Sequence, residues 1–482
     1  MHLLVELTTL LACAGADVAL DEQNDSESFA DLSEAAISDD APEVPPTAAC
    51  APWPAPPFDA WVTVDTANIR REPRRGANVI GLLHRGDSIR VVDCEPECNA
   101  PAAWGLLEDA GAIRLDTLQQ APVEDGFRRA EQNYFHARVK TPWTRVYVLP
   151  TTRSYVMARY RKGTMLALVD DDTVRPGWWR HASGGYVRAS QLTAPRPSAL
   201  RGEEEPAGTL AFLKRTVVLP ARGGALRRIF PHHARVRALG LTRRGDVMVE
   251  GGVLPRDAVA LAFHRPRPES LRDDDAWVHV DLQEQVLTAY EGDRWVYATM
   301  IRTGRRSSPT KPGLFRVWAK IHHSTMSGGG RRPYRVEEVP HILAFNREQA
   351  LHGAFWHDGF GTPGSHGCIN LSPHDARWIF EWAPPRMPAG WHTVVTRHAG
   401  LGNLWVMVER AGPGTFDVEP RPGVDNPCAC SRVEAVEDRV IALSDEGQCV
   451  VEEETLQAEV THALSSHAVA LAWSHDVNRE AR

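Results

Sequence analysis

Residues 351–371, LHGAFWHDGFGTPGSHGCINL, set three histidines, five glycines and one cysteine between two apolar segments. Cys368 stands between Ser-His-Gly and Ile-Asn-Leu, sixteen positions after His352, which is itself followed by a glycine. A thiolate attacks carbonyl carbon near neutral pH, provided a base or a positive neighbour helps it form. His352 and His366 are the available partners. A backbone carbonyl can fix the tautomer of such a base, and the small Gly353 leaves room for one. Consecutive N–H groups around Gly367 and Cys368 suit an oxyanion hole, where preorganised donors supply about 3–4 kcal/mol. A metal site built from His352, His357, Asp358, His366 or Cys368 is the competing reading. No pair among them shows the i, i+4 or Cys-x2-Cys spacing of common zinc sites.

The residues after the cysteine predict a rigid support. Ser372-Pro373-His374-Asp375 offers an N-cap serine, a proline at the first helical position and an acidic residue at the third. Asp375 occupies the place where Glu or Gln would complete the usual capping box. Ala376, Ile379, Phe380 and Ala383 then repeat at helical spacing, and Pro384-Pro385 ends the run. Cys368 is thus expected on a short loop entering a buried helix, with His374 solvated in the first turn. Upstream, WVHVDLQEQVLTAYEGDRWVYATMI alternates apolar and polar residues around Glu291-Gly292-Asp293, which predicts a strand pair with a tight turn. LFRVWAKI, after Pro312-Gly313, reads as a further strand.

Chain order separates several cysteine chemistries. In papain-like or NlpC/P60-like peptidases the cysteine precedes the histidine; in sortases the histidine lies much further upstream. Neither order fits. The pattern His352-x12-Ser365-His366-Gly367-Cys368-Ile369-Asn370 resembles the signature of YkuD-type L,D-transpeptidases. The strands from residue 278, the turn Thr310-Lys311-Pro312-Gly313 (Lys311 standing where the family usually has Pro) and the flap-like STMSGGGRRPYRVEEVPHILAF extend the resemblance over about 277–397. The resemblance implies Cys368 as acyl-accepting nucleophile, His352 as general base oriented by the Gly353 carbonyl, and His366, Gly367 and Cys368 around the oxyanion. It places Ser365, Met326 and Tyr334 against substrate, and gives Asn370 the holding of either the loop or the substrate. Trp356 reads equally as a cleft residue or as core. The implied partners are peptidoglycan stem peptides: a donor tetrapeptide, and an acceptor amine that gives a 3–3 cross-link through a thioester. No metal or organic cofactor is implied.

Length and composition frame this domain. The 482 residues suggest about three or four domains, and 43% hydrophobic content allows folded cores. A net charge of −8 argues against general nucleic-acid affinity. No apolar run approaches the roughly 20 residues that span a bilayer. Ahead of the catalytic segment, WGLLEDAGAIRLDTL (104–118) and WWRHASGGYVRASQL (178–192) align without gaps at the Trp, at Gly111 and Gly185, at Arg114 and Arg188, and at the final Leu. VMVEGGVLPRDAV, with Gly252, is a weaker third copy. Short strand-like runs bounded by Gly, Asp and Pro predict small β-barrels, and residues 67–92 resemble bacterial SH3-like domains. The expected fold is therefore mainly β: SH3-like modules at 60–120 and 143–194, a degenerate third at 208–262, and a β-sheet-rich catalytic domain at 276–397 with one short helix. The resemblance implies cell-wall binding by the modules; the alternative is that they are spacers. Residues 193–208 and 264–276, rich in Pro and charge, read as linkers.

The first sixteen residues read as an export segment whose Leu10-Leu11-Ala12-Cys13 resembles a lipobox, which implies a lipid anchor on Cys13 and a periplasmic or envelope location. Residues 17–58, acidic and then Pro-rich, read as a disordered tether. With Cys13 and Cys368 set aside, six cysteines remain, an even number suited to disulfides in an exported chain. Cys94 and Cys98 suit a local bridge, and Cys428, Cys430 and Cys449 a bridged unit in the extension from residue 398.

Overall fold

The computed structural model describes residues 52–108, 110–123, 134–171, 173–220, 228–328, 333–396, 402–411, 414, 416, 432–436, 439–444 and 447–449. Strands dominate the described residues, and the helix α1 (Pro373–Trp382) lies among them. The expectation of a mainly β chain holds. The described residues divide into two compact units. One takes those up to Arg196 together with Phe315–His357 and Ala376–Leu404; the other takes Pro197–Leu314, Asp358–Asp375 and those from Trp405 onward. No helix among the described residues is long and apolar enough to cross a membrane.

The first unit holds two copies of one seven-stranded arrangement. Its first copy runs Phe58–Val62, Thr66–Arg70, Val79–His84, Ser88–Glu95, Trp104–Leu107, Ala112–Arg114 and Leu118–Gln119. Its second runs Tyr134–Val139, Trp143–Tyr147, Val156–Arg161, Met165–Val169, Trp178–His181, Tyr186–Arg188 and Leu192–Thr193. In both, the strands pair in the spatial order seventh, first, fourth, fifth, sixth, second, third. A 3-10 turn joins the last two strands at Leu115–Thr117 and at Ala189–Gln191. The second copy starts nine residues ahead of the boundary read at 143, at Tyr134. In YFHARV, Phe135, Ala137 and Val139 alternate toward the core with His136 and Arg138 on the other face, the pattern of a half-buried strand.

The aligned glycine has a physical reason. A Cβ on Gly111 would lie 2.7 Å from the Arg70 carbonyl oxygen, and one on Gly185 would lie 2.5 Å from Val146. Both sit where the fifth and sixth strands pass against the second, too close for a side chain. Val62, Ile69, Leu83, Val91 and Ile113 fill the first core, and Val139, Val146, Leu166, Leu168 and Val187 the second. Cys94 and Cys98 are joined by a disulfide with Cα atoms 5.0 Å apart.

Neither copy closes into a barrel among the described residues, because the seventh and third strands remain opposite edges. In the first copy the third strand gives its edge instead to Thr393–Val394, opposite Leu82 and Gly81. Thr393 and Val394 also pair with Ile321 and Lys320. Those belong to a long hairpin, Ala319–Gly328 against Tyr334–Asn346, which continues to Gln349–Gly353. In the second copy Met165 bridges Val336 of that hairpin in parallel. The LFRVWAKI segment is split by Val317 and Trp318 into Gly313–Arg316 and the start of the hairpin.

The second unit holds the third copy: Leu210–Leu213, Val217–Leu219, Arg228–Phe230, Arg235–Leu241, Val247–Val249, Gly252–Leu254 and Val259–Ala262. The order seventh, first, fourth, fifth, sixth recurs, and a 3-10 turn again precedes the last strand. The second and third strands pair only with each other. A Cβ on Gly252 would lie 2.3 Å from Leu219 of the second strand, so the glycine keeps its place even here.

Beside it, Glu203–Glu204, Arg294–Met300, Val286–Glu291 and Ala276–Asp281 pair in that order. The tight turn at Gly292, with φ +57°, lies as the sequence indicated. The alternation does not translate into one wet face, since almost every residue of these strands is buried. Polar residues on the second face have partners instead: His279 Nε2 lies 2.9 Å from Glu409 Oε1, and Arg265 contacts Asp281. The two supposed linkers are packed. Leu200 and Leu271 enter the core formed by Phe212, Trp277 and Tyr290. Arg235 pairs with Glu203, and Arg267 with Asp273, at the surface of this packing. Arg432–Val436, Arg439–Ser444 and Gly447–Cys449 form a small antiparallel sheet, while Cys13, Cys50, Cys428 and Cys430 lie outside the described residues.

Candidate active site

The cysteine loop belongs to the second unit and is stitched to residues 302–310. Arg302 and Asn370 exchange backbone hydrogen bonds of 3.0 and 2.9 Å, and Gly364 and Ser365 both donate to the Thr303 carbonyl, at 2.8 and 3.0 Å. Thr310, buried, donates from Oγ1 to the Gly367 carbonyl at 2.7 Å and accepts from the Gly304 N–H at 2.9 Å. Ser365 Oγ donates to the Cys368 carbonyl at 2.5 Å and accepts from the Gly367 N–H at 3.1 Å. Gly367 itself adopts φ +127°, open only to glycine without strain. Cys368 is half-buried and carries a thiol outside any disulfide.

The Gly367 N–H, one of the expected oxyanion donors, donates to Ser365 Oγ in this structure. Ser365 is accordingly a brace of the loop, buried beneath it. His366 is exposed on the same loop, its imidazole held below its ordinary pKa by partial burial and then by Arg305. Asn370 is buried in the bridge to Arg302.

Two positions that the sequence did not single out do much of this work. Thr310 was visible only as part of a turn motif. Arg302 lies along the loop, donating to the Gly359 carbonyl at 2.7 Å and to Thr362 Oγ1 at 3.2 Å. A Cβ on Gly359 or Gly364 would run into its guanidinium, at 2.2 and 1.8 Å, so those glycines make room for it.

The helix start is as expected: Ser372 Oγ accepts the Asp375 N–H at 3.1 Å. The Asp375 carboxylate is committed to donors outside the helix start. It accepts from the Gly202 N–H and the Tyr297 hydroxyl, both at 2.8 Å, and from the Thr299 hydroxyl at 2.5 Å. His374 is partly exposed, with Nδ1 3.3 Å from Asp375 Oδ1.

The first unit carries His352, on the last strand of the long hairpin. Its Nδ1 lies 3.1 Å from the Gly353 carbonyl oxygen. A carbonyl only accepts, so Nδ1 carries the proton and Nε2 presents a lone pair. Burial pushes the imidazole down to about 4, which keeps it neutral at physiological pH, with the Gly353 carbonyl acting weakly in the opposite sense. A Cβ on Gly353 would lie 3.1 Å from Pro340, so the glycine permits the close packing around the carbonyl. Trp356 is half-buried and stacked on His352 at 5.8 Å between ring centroids. His136 of the second repeat stacks on Phe355 at 3.8 Å, and Arg138 donates to the Trp356 carbonyl at 3.2 Å. Met326 pairs with Val336 in the hairpin, and Tyr334, partly exposed, covers Gly328 opposite it.

Comparison with known proteins bears on this region. The family YkuD, L,D-transpeptidase catalytic domain, matches residues 275–395. Residues 275–395 carry a YkuD L,D-transpeptidase catalytic domain. The chain is 27% identical over 125 residues to the Bacillus subtilis (strain 168) protein "Putative L,D-transpeptidase YciB", covering 24% of this chain and 64% of that one. The chain thus spans less than two thirds of that relative's length. Among solved structures, a cysteine-to-serine mutant of Enterococcus faecium L,D-transpeptidase is 25% identical, over 28% of this chain and 50% of that one, with TM-score 0.23. The catalytic domain of the E. faecium enzyme is 24% identical, over 28% of this chain and 98% of that one, with TM-score 0.23.

Proposed function

We propose that the protein is a peptidoglycan L,D-transpeptidase using Cys368 as nucleophile and His352 as general base. The observation that carries the reading is the YkuD match over 275–395, within which Cys368 sits on a braced loop and His352 is held neutral with its Nε2 lone pair available. In the first step His352 takes the thiol proton and the sulfur attacks the carbonyl at the L-centre of the third stem residue. The peptide bond to the terminal D-Ala breaks, and D-Ala leaves as an amine carrying that proton. In the second step the side-chain amine of another stem attacks the thioester. This forms a 3–3 cross-link and regenerates the thiol. With the Gly367 N–H committed to Ser365, the oxyanion is held by other N–H groups of the loop 365–370. Met326 and Tyr334 mark the hairpin that lies over the donor stem.

The three repeats are read as SH3-like modules that hold the wall, and the segment around Cys13 as an export signal with a lipid anchor, which places the enzyme in the envelope. Muropeptide analysis after incubating stems with the wild type and with Cys368→Ala tests the chemistry. Wild-type 3–3 dimers that vanish in the variant are expected. Equal dimer yields would sink the proposal, and tripeptides without dimers would identify a carboxypeptidase.

A further inference from the structure

Within the second unit, the turn between the third and fourth strands of the third repeat places His232 and His233 beside Asp358, on the loop that leads to Cys368. His233 Nε2 lies 3.1 Å from Asp358 Oδ1, and His232 Nδ1 lies 3.7 Å from Oδ2. One donor atom from each of the three residues falls within 4.8 Å of the others. Around a tetrahedral zinc ion, donors at about 2.0–2.1 Å from the metal stand about 3.3 Å apart, and the two observed separations bracket that value.

We propose that His232, His233 and Asp358 bind one divalent transition-metal ion of the zinc class. Three further observations support a built site. His233 Nε2 is buried and makes no aligned hydrogen bond despite its closeness to the carboxylate. An unaligned buried ring nitrogen is costly unless something else takes its lone pair. The Ser198 hydroxyl bonds Asp358 Oδ1 and so orients the carboxylate, as outer partners of metal ligands do. Both ligand-bearing backbones are also fixed. The His232 N–H donates to Thr216 Oγ1 at 3.1 Å and the His233 N–H to the Leu213 carbonyl at 2.9 Å. On the other side, Arg302 holds the Gly359 carbonyl next to Asp358.

Two imidazoles and one carboxylate favour zinc-like ions over magnesium or calcium, which take oxygen ligands. Three protein ligands leave a fourth position for water. The ion would tie the loop that carries the nucleophile to the third repeat. That repeat then acts as an anchor for this loop, a role distinct from holding the wall.

The test uses the full chain without a histidine tag, carrying Cys368→Ala so that the thiol cannot bind metal. After chelator treatment it is titrated with Zn2+ by calorimetry and with Co2+ by absorption. Relative to this parent, adding Asp358→Asn or His233→Ala should remove one equivalent, or weaken it by at least about tenfold. The Co2+ bands lost should lack thiolate charge transfer, and zinc should raise the thermal midpoint of the parent alone. Near-UV circular dichroism checks folding; if His233→Ala is misfolded, Asp358→Asn decides by itself. Unchanged stoichiometry and affinity in Asp358→Asn, or no zinc bound by the parent, overturns the proposal.

Discussion

Asp375 is fully buried, yet its carboxylate gathers three donors: the Gly202 N–H, the Tyr297 hydroxyl and the Thr299 hydroxyl. Substituting Asp375→Asn keeps the volume and removes the charge. The two hydroxyls can rotate to accept from the new amide, but the Gly202 N–H can only donate. Bonds to a charged group are worth about 1.5–3 kcal/mol each, while returning a buried carboxylate to water offsets several kcal/mol of that gain. The balance predicts a loss of about 2–4 kcal/mol. Tyr297→Phe, which removes one donor, should cost about 1–2 kcal/mol, and the pair should be strongly non-additive. A second readout comes from electrostatics. Burial, and then the Asp375 charge, hold the Tyr297 phenol far above its ordinary pKa. In Asp375→Asn the phenol should titrate at lower pH than in the wild type, though still above a free tyrosine. Urea unfolding at pH 7 followed by tryptophan fluorescence gives the first number. The difference in tyrosinate absorbance between each protein and its Tyr297→Phe counterpart gives the second. A stability loss below about 0.5 kcal/mol, the range of an ordinary surface change, together with an unmoved phenol, would refute the reasoning.

Two further outcomes concern buried bases. His136, His322, His341 and His352 are each held near a pKa of about 4 by burial, so between about pH 6.5 and 4 the unfolded chain binds more protons than the folded one. Stability is therefore complete above pH 6.5 and falls on acidification, by up to about 1.4 kcal/mol per pH unit for each histidine; urea midpoints that stay flat from pH 7 to 4.5 would contradict this. Lys320 buries its ammonium under α1, donating to the Ala383 and Pro385 carbonyls at 2.6 and 2.9 Å and lying 4.7 Å from the Phe380 ring centroid, and burial lowers it to about 8. Lys320→Met orphans both carbonyls and should cost about 2–3 kcal/mol at pH 7. It should also abolish the rise in wild-type stability between about pH 8 and 10.5, where the unfolded lysine alone stays protonated; a variant that keeps that rise would show the charge lies elsewhere.

The parts legible in the sequence were those whose cause is local. Ser372 and Pro373 announce the start of α1 because a cap needs only its own turn, and Gly292 announces its hairpin for the same reason. The aligned Gly111, Gly185 and Gly252 announced a repeat because each packs against the second strand of its own copy. What could not be read depends on partners far along the chain. Arg302 and Gly364 explain each other only once the loop is folded, and Lys320 meets Ala383 from a distant strand. Gly202 and Leu200 lie in a stretch whose Pro and charge content reads as solvent-exposed, yet one reaches Asp375 and the other a core. Ser365 likewise shows its contacts only in the fold, where its hydroxyl bonds both the Gly367 N–H and the Cys368 carbonyl.

The repeats gain a different meaning from their edges. A freely hinged binding module would keep its contacts to itself, but the second copy shares buried polar contacts with the long hairpin. Glu337, buried, receives the Ala167 N–H at 3.1 Å and lies 2.8 Å from His181 Nε2, and His136 lies 3.0 Å from its carbonyl oxygen. Hydrogen bonds to a buried carboxylate are worth about 1.5–3 kcal/mol each, so separation of the second copy from the hairpin is disfavoured. The same copy stacks His136 on Phe355 and bonds the carbonyl of Trp356, the residue that covers the His352 ring. Precision at His352, the base of the proposed reaction, depends on the shell that locks its rotamer. In this chain part of that shell is supplied by a repeat, which therefore belongs to the scaffold of His352 whatever else it binds.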